Sequence, residues 1–341
     1  MARILIVTDA WLPQTNGVVR CLENLGRELA SRGHVVSYLT PDGFWTVPLP
    51  TYPEIRISMV TPTTIAATIA REAPDHIHIA TEGPLGLLAR YVAVEQGLAF
   101  TTSYHTRFPE YLAARLPIPT DWTYAFLRWF HAPAAATLVP TQSLKDELTL
   151  RQFGTLALWT RGVDHAYFSP GEKTEFLDLP GPHLLYVGRV AVEKNIEAFL
   201  TLDVPGTKIV VGDGPARAEL ELRYPDVHFV GLKTGEALSA HYRSADVFVF
   251  PSRTDTFGNV ILEALSSGVP VAAYPVTGPA DILTDPAAGA VDEDLAVAVR
   301  RALTLDRAAA RRHALGYSWA RCADIFLSVL VPVRLQLAEA A

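Results

Sequence analysis

Residues 4–40 read ILIVTDAWLPQTNGVVRCLENLGRELASRGHVVSYLT, and this stretch decides the expected fold. The apolar run at residues 4–7 predicts a buried strand, and the Asn16-Gly17 pair predicts a loop. Apolar residues at helical spacing then predict a helix, and residues 35–40 predict a second strand. A strand, a helix and a strand in this order predict a parallel sheet, because parallel neighbours need a crossover connection.

The rest of the chain shows the same alternation without a repeated sequence. In the first half, further strands are predicted at residues 76–80, 99–104 and 137–140. A second opening of strand, loop and helix covers residues 183–187, 188–194 and 195–202, and more strands are predicted at residues 208–211, 227–230, 247–250 and 269–274. The pattern predicts an α/β fold with two Rossmann-like parallel-sheet domains.

The length also favours two domains. A chain of 341 residues exceeds what one typical core accommodates. We expect an N-terminal domain at residues 1–165 and a second domain at residues 166–317. Residues 161–182 are rich in Gly, Pro and charge and form the expected linker. Residues 318–341 are expected to supply a helix, at residues 318–337, that packs back on the first domain.

The charge argues against a nucleic-acid partner. The formal net charge is −7, with 49% hydrophobic and 19% charged residues. Residues 1–165 hold 13 Lys and Arg against 14 Asp and Glu, and the remainder holds 16 against 22. Neither part is basic enough for nucleic-acid binding. An anionic ligand must therefore be held by a few placed cations and by backbone N–H groups.

Cysteine usage and hydropathy favour a cytoplasmic location. Cys21 and Cys322 lack metal-ligand spacing, so we expect them to pack as small apolar residues in a reducing compartment. The apolar run at residues 4–7 is too short for a signal peptide. No stretch approaches the roughly 20 apolar residues of a membrane span.

The first chemical motif is PSRTDTFGNVILEALSSGVPV at residues 251–271. Gly258 lets the backbone approach a ligand, and the N–H groups of the following helix can bind a pyrophosphate. Glu263 on that helix can bind a ribose diol, and Asp255 in the loop can bind the hydroxyls of a transferred sugar. The alternative is that Asp255 is a turn residue and Glu263 a solvated helix residue.

The second motif is GRVAVEKN at residues 188–195. Arg189 can grip phosphate with two donors and Lys194 supplies a point charge, so together they can neutralise a leaving diphosphate without a metal. The alternative is a solvated loop with a helix N-cap at Asn195.

Ligands of open parallel sheets bind beyond the carboxyl ends of the strands. Two such sheets facing each other predict an interdomain cleft. It would be lined by the loops at Asn16-Gly17, His105 and residues 189–194, 212–215 and 255–258.

These two motifs resemble the defining motifs of the retaining glycosyltransferases of family four, which have the GT-B fold. Residues 162–164 (GVD) and 212–215 (GDGP) also stand in the order typical of that family. The resemblance implies that Asp255 contacts the donor sugar, that Glu263 contacts the ribose, and that Arg189 and Lys194 bind the diphosphate. It adds Gly17, Phe257, Gly258 and Asn259 as donor-binding residues.

Two further strings, HIATEGPLG at residues 78–86 and SYHTRFPEY at residues 103–111, resemble a bacterial subgroup. That subgroup includes mannosyltransferases and glycolipid-forming glucosyl and glucuronosyl transferases. The resemblance implies that His105 faces the donor sugar, where it would position the sugar in a front-face mechanism rather than act as a general base; a structural histidine is the alternative. Glu82 would bind acceptor hydroxyls or favour a helix N-terminus.

The chain departs from the family pattern at two positions. Asp255 stands where the family usually has Glu, so its carboxylate sits one methylene further back. Asn259 stands where apolar residues are common, and it would contact the donor or cap the helix.

The segment at residues 121–131 contains two Trp, one Tyr and two Phe, with Arg115 and Arg128 nearby. This composition suits an interfacial helix or a core helix of the first domain, of which we favour the core. The interfacial alternative would give peripheral contact with the inner face of the plasma membrane.

The two motifs, together with the resemblance to family four, imply a retaining hexosyltransferase. It would move a hexosyl unit from a UDP- or GDP-linked sugar to a lipid or glycan acceptor, with no cofactor and no metal. The alternatives are a non-hydrolysing sugar-nucleotide epimerase and a non-catalytic nucleotide-sugar-binding relic.

Overall fold

The computed structural model describes residues 1–14, 16–49, 52–113 and 118–333. The chain divides into two compact units. The first comprises Met1–Thr160 with Trp319–Ala341, and the second comprises Arg161–Ser318. The first unit is therefore made of two stretches of chain that are separated in sequence by the second unit.

The strands of the first unit are β1 Arg3–Val7, β2 Val35–Leu39, β3 Thr46–Leu49, β4 Tyr52–Ser58, β5 His76–Ile79, β6 Thr101–Ser103, β7 Thr137–Val139 and β8 Leu156–Leu158. They form a six-stranded parallel sheet in the order β2-β1-β5-β6-β7-β8 and a separate antiparallel pair, β3-β4. Residues 4–7 are all buried, as expected for a central parallel strand covered on both faces.

Six helices connect these strands in the described part of the first stretch. They are α1 Gly17–Ser31, α2 Pro62–Glu72, α3 Pro84–Glu95, α4 Phe108–Ala113, α5 Thr120–His131 and α6 Gln142–Leu150. The start of α1 follows from Asn16, whose side chain accepts hydrogen bonds of 3.0 Å from the N–H groups of Val18 and Val19.

The strands of the second unit are β9 His183–Val187, β10 Thr207–Val211, β11 His228–Gly231, β12 Val247–Phe250, β13 Val271–Ala273 and β14 Gly289–Val291. They form a six-stranded parallel sheet in the order β11-β10-β9-β12-β13-β14. This is the doubly wound Rossmann order, in which the chain moves outward from β9 in one direction and then returns to start again at β12.

The helices of the second unit cover both faces of its sheet. They are α7 Glu197–Leu200, α8 Arg217–Arg223, α9 Gly235–Ser244, α10 Asn259–Ser266, α11 Pro279–Ile282, α12 Leu295–Ala302 and α13 Arg307–Ala314. Two separate clusters of buried apolar side chains cover the sheet, with alternate residues of β9 in each: Leu185 and Val187 in one, and Leu184 and Tyr186 in the other. This alternation is the reason that β9 reads as a continuous apolar run.

The last helix, α14 Trp319–Val329, belongs to the first unit and packs on α1. Arg32 joins the two helices through an ion pair of 2.5 Å with Asp324. Cys21 and Cys322 are both buried in one apolar cluster there, which confirms the expectation that they pack as apolar residues. The predicted helix at residues 318–337 is too long, because α14 ends at Val329 and residues 330–333 are not helical; residues 334–337 lie outside the described residues.

Four further features of the fold differ from the sequence prediction. The β3-β4 pair, which forms a separate sheet, and the short edge strands β8 and β14 were not predicted. The helix predicted at residues 195–202 is wrong in its start: a 3-10 turn occupies Val192–Lys194, and α7 begins only at Glu197.

Trp159 contacts α14 and holds this helix against the rest of the first unit. Its side chain is fully buried after β8, and its indole Nε1 donates a hydrogen bond of 3.0 Å to the carbonyl of Cys322. Its ring also packs against Phe326, with centroids 5.4 Å apart. One side chain from the first stretch of the unit thus holds the helix that arrives from the far end of the chain.

We expect Trp159→Ala to destabilise the first unit by about 3–5 kcal/mol, because it leaves a large cavity and removes the hydrogen bond to the Cys322 carbonyl. Urea unfolding followed by far-UV circular dichroism measures the effect. Trp122→Ala is the control, since Trp122 is 74% exposed. Equal midpoints for the two variants would contradict the anchoring role.

Candidate functional site

The two chemical motifs of the second unit meet at one point of its sheet. β9 and β12 are hydrogen-bonded neighbours, yet the strands between them in sequence lie on the other side of β9. The chain therefore changes direction at this pair. Loops that follow such a pair diverge and leave a crevice beyond the strand ends, which is where open α/β sheets bind ligands.

Side-chain contacts fasten the two loops to each other. Asn195 adopts a left-handed backbone, with φ of 51°, and its Nδ2 donates a hydrogen bond of 3.0 Å to the carbonyl of Pro251. The hydroxyl of Thr254 donates one of 3.3 Å to the carbonyl of Glu193. Asn195 is therefore not the helix N-cap of the alternative prediction; it connects the two loops.

Lys194 and Asp255 form an ion pair across the same gap. The second carboxylate oxygen of Asp255, Oδ2, is buried and has no hydrogen-bond partner among the described residues. A buried acceptor of this kind is costly unless something donates to it. The pair thus combines a cation, Lys194, with an acid whose Oδ2 can accept a further hydrogen bond. This combination suits a ligand that carries both hydroxyls and phosphate.

The loop that carries Arg189 is held by a side-chain hydrogen bond and by close backbone packing. The Tyr186 hydroxyl donates a hydrogen bond of 2.8 Å to the carbonyl of Arg189. The GDGP segment lies directly against this loop: a Cβ on Gly212, whose φ is +143°, would lie 1.9 Å from the carbonyl oxygen of Gly188. A Cβ on Gly214 would lie 2.3 Å from the carbonyl oxygen of Val190. The glycines therefore let two loops pack backbone to backbone.

Gly258 forms the N-cap of α10 with φ of +96°, a conformation that favours glycine. Asn259 is the first helical residue, so it does not occupy the N-cap position. Gly278 packs against the same loop, because a Cβ there would lie 2.8 Å from the carbonyl oxygen of Phe257 and 3.2 Å from that of Asp255. The predicted anion site at the helix start is thus bounded by two glycines.

Phe257 and Glu263 both point into the body of the second unit. Phe257 is buried in its main apolar cluster, so its side chain supports the loop. Glu263 on α10 is only 7% exposed, and the hydroxyl of Tyr242 donates a hydrogen bond of 2.8 Å to its Oε2. The alternative of a solvated helix residue is therefore wrong for Glu263.

The first unit has a comparable change of chain direction between β1 and β5, which are neighbours in its sheet. Asp9 follows β1 and accepts hydrogen bonds from the hydroxyl of Thr81 at 2.9 Å and from the N–H groups of Leu85 and Gly86 at 2.8 and 3.2 Å. Burial raises the pKa of Asp9, against these hydrogen bonds, which lower it. Asp9 thus fixes the start of α3.

Glu82 and Gly17 lie at helix starts in this unit. Glu82 precedes the N-cap Gly83 of α3, and its Oε1 lies 3.4 Å from Nε2 of His131. Gly17 is the first residue of α1 and is exposed.

His105 follows β6 and is 9% exposed. Its ring meets the ring of Trp159 edge-on, with centroids 5.9 Å apart and an interplanar angle of 72°. The loop beyond it is tied down by Arg107, which donates a hydrogen bond of 2.7 Å to Glu147. His105 is thus held in a packed setting within the first unit.

The aromatic segment forms α5, and one of its faces packs in the core as predicted, with Tyr124, Leu127 and Phe130 buried. Its opposite face exposes Trp122 by 74% and Trp129 by 52%. Arg115 lies outside the described residues. In the described ranges, no helix has both the length and the apolarity to cross a bilayer.

Among the residues that the structure describes, no group of three or more His, Cys, Asp or Glu side chains is arranged to hold a metal ion. Lys194 and Asp255 bring opposite charges together at the candidate site, and Arg189 lies on the same loop as Lys194.

Family models match both halves of the chain. The model described as Glycosyltransferase Family 4 matches residues 15–167, and the model described as Glycosyl transferases group 1 matches residues 181–305. The chain belongs to glycosyltransferase family four.

Individual relatives agree with this membership. A GDP-mannose-dependent alpha-mannosyltransferase of Mycobacterium tuberculosis is 29% identical, over 97% of each chain. An alpha-monoglucosyldiacylglycerol synthase of Streptococcus pneumoniae is 27% identical, over 88% of this chain and 78% of the relative. The solved sucrose-phosphate synthase of Thermosynechococcus elongatus shares the fold, with a TM-score of 0.77 at 21% identity, over 96% of this chain and 98% of the other.

As a member of family four, the chain is a retaining hexosyltransferase with the GT-B fold. It uses a nucleotide sugar as its donor. The epimerase and the non-catalytic relic are set aside, because both matched models describe glycosyltransferases. The predicted fold class is confirmed by the two Rossmann-like sheets.

Four residues that shape these loops escaped the sequence prediction: Asp9, Asn195 as a loop connector, Tyr242 and Gly278. An Asp directly after the first strand was a visible signal for Asp9, since polar residues at strand ends face the ligand edge of a sheet. Tyr242 and Gly278 lie outside the motifs, and only the packing of α9 and α11 brings them to the site.

We expect Asn195→Gly to lower kcat/KM for the donor about five-fold, the worth of one hydrogen bond of about 1 kcal/mol. Glycine keeps the left-handed backbone available, so only the amide is lost. Gln152→Gly is the matched control, because Gln152 also has a positive φ, 61°, but lies in the first unit. Steady-state kinetics with both variants measures the effect, and an unchanged Asn195→Gly enzyme would contradict the fastening of the loops.

Proposed function

We propose that the chain transfers a hexosyl unit from a GDP- or UDP-linked sugar to a lipid acceptor, with GDP-mannose as the first donor to test. The relative that spans nearly its full length depends on GDP-mannose. Another relative is named for making a glucosyl diacylglycerol. The observation that carries the residue assignment is the Lys194–Asp255 pair in the crevice between β9 and β12.

In this proposal, different charged groups bind different parts of the donor. Arg189 and Lys194 bind the diphosphate, and the N–H groups at the start of α10 add partial positive charge. Glu263 binds the ribose, and Asp255 accepts hydrogen bonds from the transferred sugar through the buried Oδ2. Glu82 would bind the acceptor. His105 would orient the sugar, and Gly17, Phe257, Gly258 and Asn259 would shape the donor contacts.

The proposed reaction needs no proton acceptor from the protein. The bond between the anomeric carbon and the diphosphate oxygen breaks while the acceptor hydroxyl oxygen attacks from the same face, so the configuration is retained. The acceptor's proton passes to the departing phosphate oxygen. Negative charge grows on the diphosphate during this step, and Arg189 and Lys194 stabilise it in proportion.

The pairing of Lys194 with Asp255 gives this arrangement a further property. The same ammonium is shared between an internal carboxylate and the incoming diphosphate. When a sugar donates its hydroxyl hydrogen bonds to Asp255, the carboxylate holds Lys194 less strongly, and the cation is more available to the phosphates. Binding of the sugar and binding of the diphosphate would therefore support each other.

The function is tested by release of nucleotide diphosphate from GDP-mannose, UDP-glucose, UDP-glucuronate and ADP-glucose in the presence of diacylglycerol. We expect one GDP- or UDP-linked donor to dominate, and we expect activity to survive EDTA because the two cations do the work of a divalent ion. Arg189→Ala should lose on the order of 2–4 kcal/mol of transition-state stabilisation. The proposal fails if no donor turns over, and its metal-free form fails if magnesium or manganese is needed to restore activity.

Asp255→Asn should change turnover and product affinity in opposite directions. We expect kcat to fall on the order of 100-fold, since the lost contact strengthens in the transition state. We expect the nucleotide diphosphate to bind roughly five-fold more tightly, because about 1 kcal/mol of competition for Lys194 is removed. Kinetics and titration calorimetry measure the two effects.

Asp255→Glu is the companion variant and should stay active, because it restores a carboxylate of the length usual in the family. Normal turnover by Asp255→Asn would mean that Asp255 is only a turn residue. Weaker diphosphate binding by Asp255→Asn, as expected for Lys194→Ala, would contradict the competition for the cation.

A lipid acceptor requires contact with a membrane surface, and α5 offers the groups for it. Trp122 and Trp129 are the large apolar side chains exposed on its outer face. The guanidinium of Arg90 stacks 3.9 Å over the ring of Trp129, and Arg128 lies on the same helix. Indole rings beside arginines suit the headgroup region of an anionic bilayer.

We expect the protein to float with liposomes that contain anionic lipid. The double variant Trp122→Ser with Trp129→Ser should lose most of this binding, because insertion of the two indoles supplies the apolar contact. Leu222→Ser is the control, since Leu222 is exposed by 86% on α8 of the second unit. Equal flotation of the double variant and the control would contradict membrane contact through α5.

A further inference from the structure

Tyr242 lies on α9, outside both chemical motifs, and reaches the candidate site from behind. Its side chain is fully buried, and its hydroxyl donates a hydrogen bond of 2.8 Å to Oε2 of Glu263 on α10. The two residues are 21 positions apart in the chain. The contact therefore depends on the packing of α9 beside α10.

Aromatic neighbours fix the position of the Tyr242 ring. Phe168 meets it edge-on, with centroids 5.6 Å apart and an interplanar angle of 87°. Phe248 of β12 packs on it at 5.8 Å. A ring enclosed in this way keeps one rotamer, since protein interiors leave little free volume. Its hydroxyl is thus a donor at a fixed point of the core.

Glu263 needs such a donor for two reasons. A carboxylate that is 7% exposed requires hydrogen bonds to offset its lost hydration. A glutamate side chain also has several rotatable bonds, and ordering it on ligand binding costs up to about 2 kcal/mol of conformational entropy. A hydrogen bond that already orients the carboxylate removes part of this cost before the ligand arrives.

We propose that Tyr242 is a positioning residue that orients the Glu263 carboxylate for recognition of the ribose diol of the donor. The inference rests on the proposed contact between Glu263 and ribose. A carboxylate offers about four acceptor positions, and the Tyr242 hydroxyl occupies one of them on the side of the core. The Glu263 carboxylate is then oriented to accept hydrogen bonds from two adjacent hydroxyls. A nucleotide that lacks these hydroxyls would not bind more tightly because of Tyr242.

This last property separates positioning from a purely structural role. Tyr242→Phe removes the hydroxyl and keeps the ring with its aromatic packing. Titration calorimetry is run with GDP and 2′,3′-dideoxy-GDP, and again with UDP and its dideoxy analogue. Of GDP and UDP, one is expected to bind the wild type. We expect Tyr242→Phe to lower the affinity for that ribonucleotide about five-fold, the effect of one ordinary hydrogen bond. The affinity for its dideoxy analogue should not change. In turnover, KM for the donor should rise while kcat stays near that of the wild type.

Two controls complete the design. Tyr224→Phe removes a hydroxyl that lies 3.4 Å from the surface carboxylate of Glu197, and it should leave all four affinities unchanged. In a Glu263→Ala background, Tyr242→Phe should have no further effect on the ribonucleotide, because the two residues act as one unit.

The outcomes distinguish a failure of the Glu263 assignment from a failure of the positioning role of Tyr242 alone. If the wild type binds the ribonucleotide and its dideoxy analogue equally, Glu263 does not bind the diol, and both the assignment of Glu263 and the positioning role fail. If the wild type prefers the ribonucleotide but Tyr242→Phe weakens both analogues equally, or neither, the positioning role alone is overturned.

Discussion

The ion pair of Lys194 and Asp255 joins two loops that are 61 residues apart in sequence, and the proposed donor site of the second unit depends on this contact. A cation alone at the end of β9 would hold a phosphate, and an acid alone at the end of β12 would hold a hydroxyl. Their contact makes one site for a ligand that has both. The Asn195 and Thr254 hydrogen bonds connect the same two loops independently of the ion pair.

Glycines make this join possible by removing side chains where backbones must meet. Gly212 and Gly214 let the GDGP loop support the loop that carries Arg189, and Gly278 does the same for the loop that carries Asp255. The three glycines contribute no side chains of their own to these contacts. They let the supporting backbone pack directly against the charged loops, which limits displacement of those loops, and the proposed catalytic contacts would weaken with small displacements.

The first unit uses the same point of its sheet in a different way. Its acid at the first strand end, Asp9, is occupied by the N–H groups at the start of α3 and by Thr81. Asp9 is a structural carboxylate, whereas Asp255 in the second unit keeps a buried oxygen with no hydrogen-bond partner among the described residues. The acids beside the two changes of chain direction thus differ in whether the carboxylate is satisfied within the protein, and this difference agrees with the proposed donor site in the second unit.

The sequence by itself determined the class of fold and the chemical groups of the site. The runs at residues 4–7 and 183–187 are strands because both faces of a central parallel strand are buried, which requires continuous apolar sequence. Asp255, Gly258 and Glu263 lie near one another on a loop and the helix that follows it, so local spacing sufficed to group them. Lys194 and Arg189 were grouped for the same reason.

Only the tertiary structure decided what the groups contact. That Lys194 meets Asp255, that Asn195 connects two loops instead of capping a helix, and that Tyr242 lies behind Glu263 all depend on which strands and helices become neighbours. The side-chain period of a strand or helix records which face is buried, and it carries no record of the element that covers that face. The partners are set by the order of strands in the sheet, in which β12 lies beside β9 although β10 and β11 separate them in the chain.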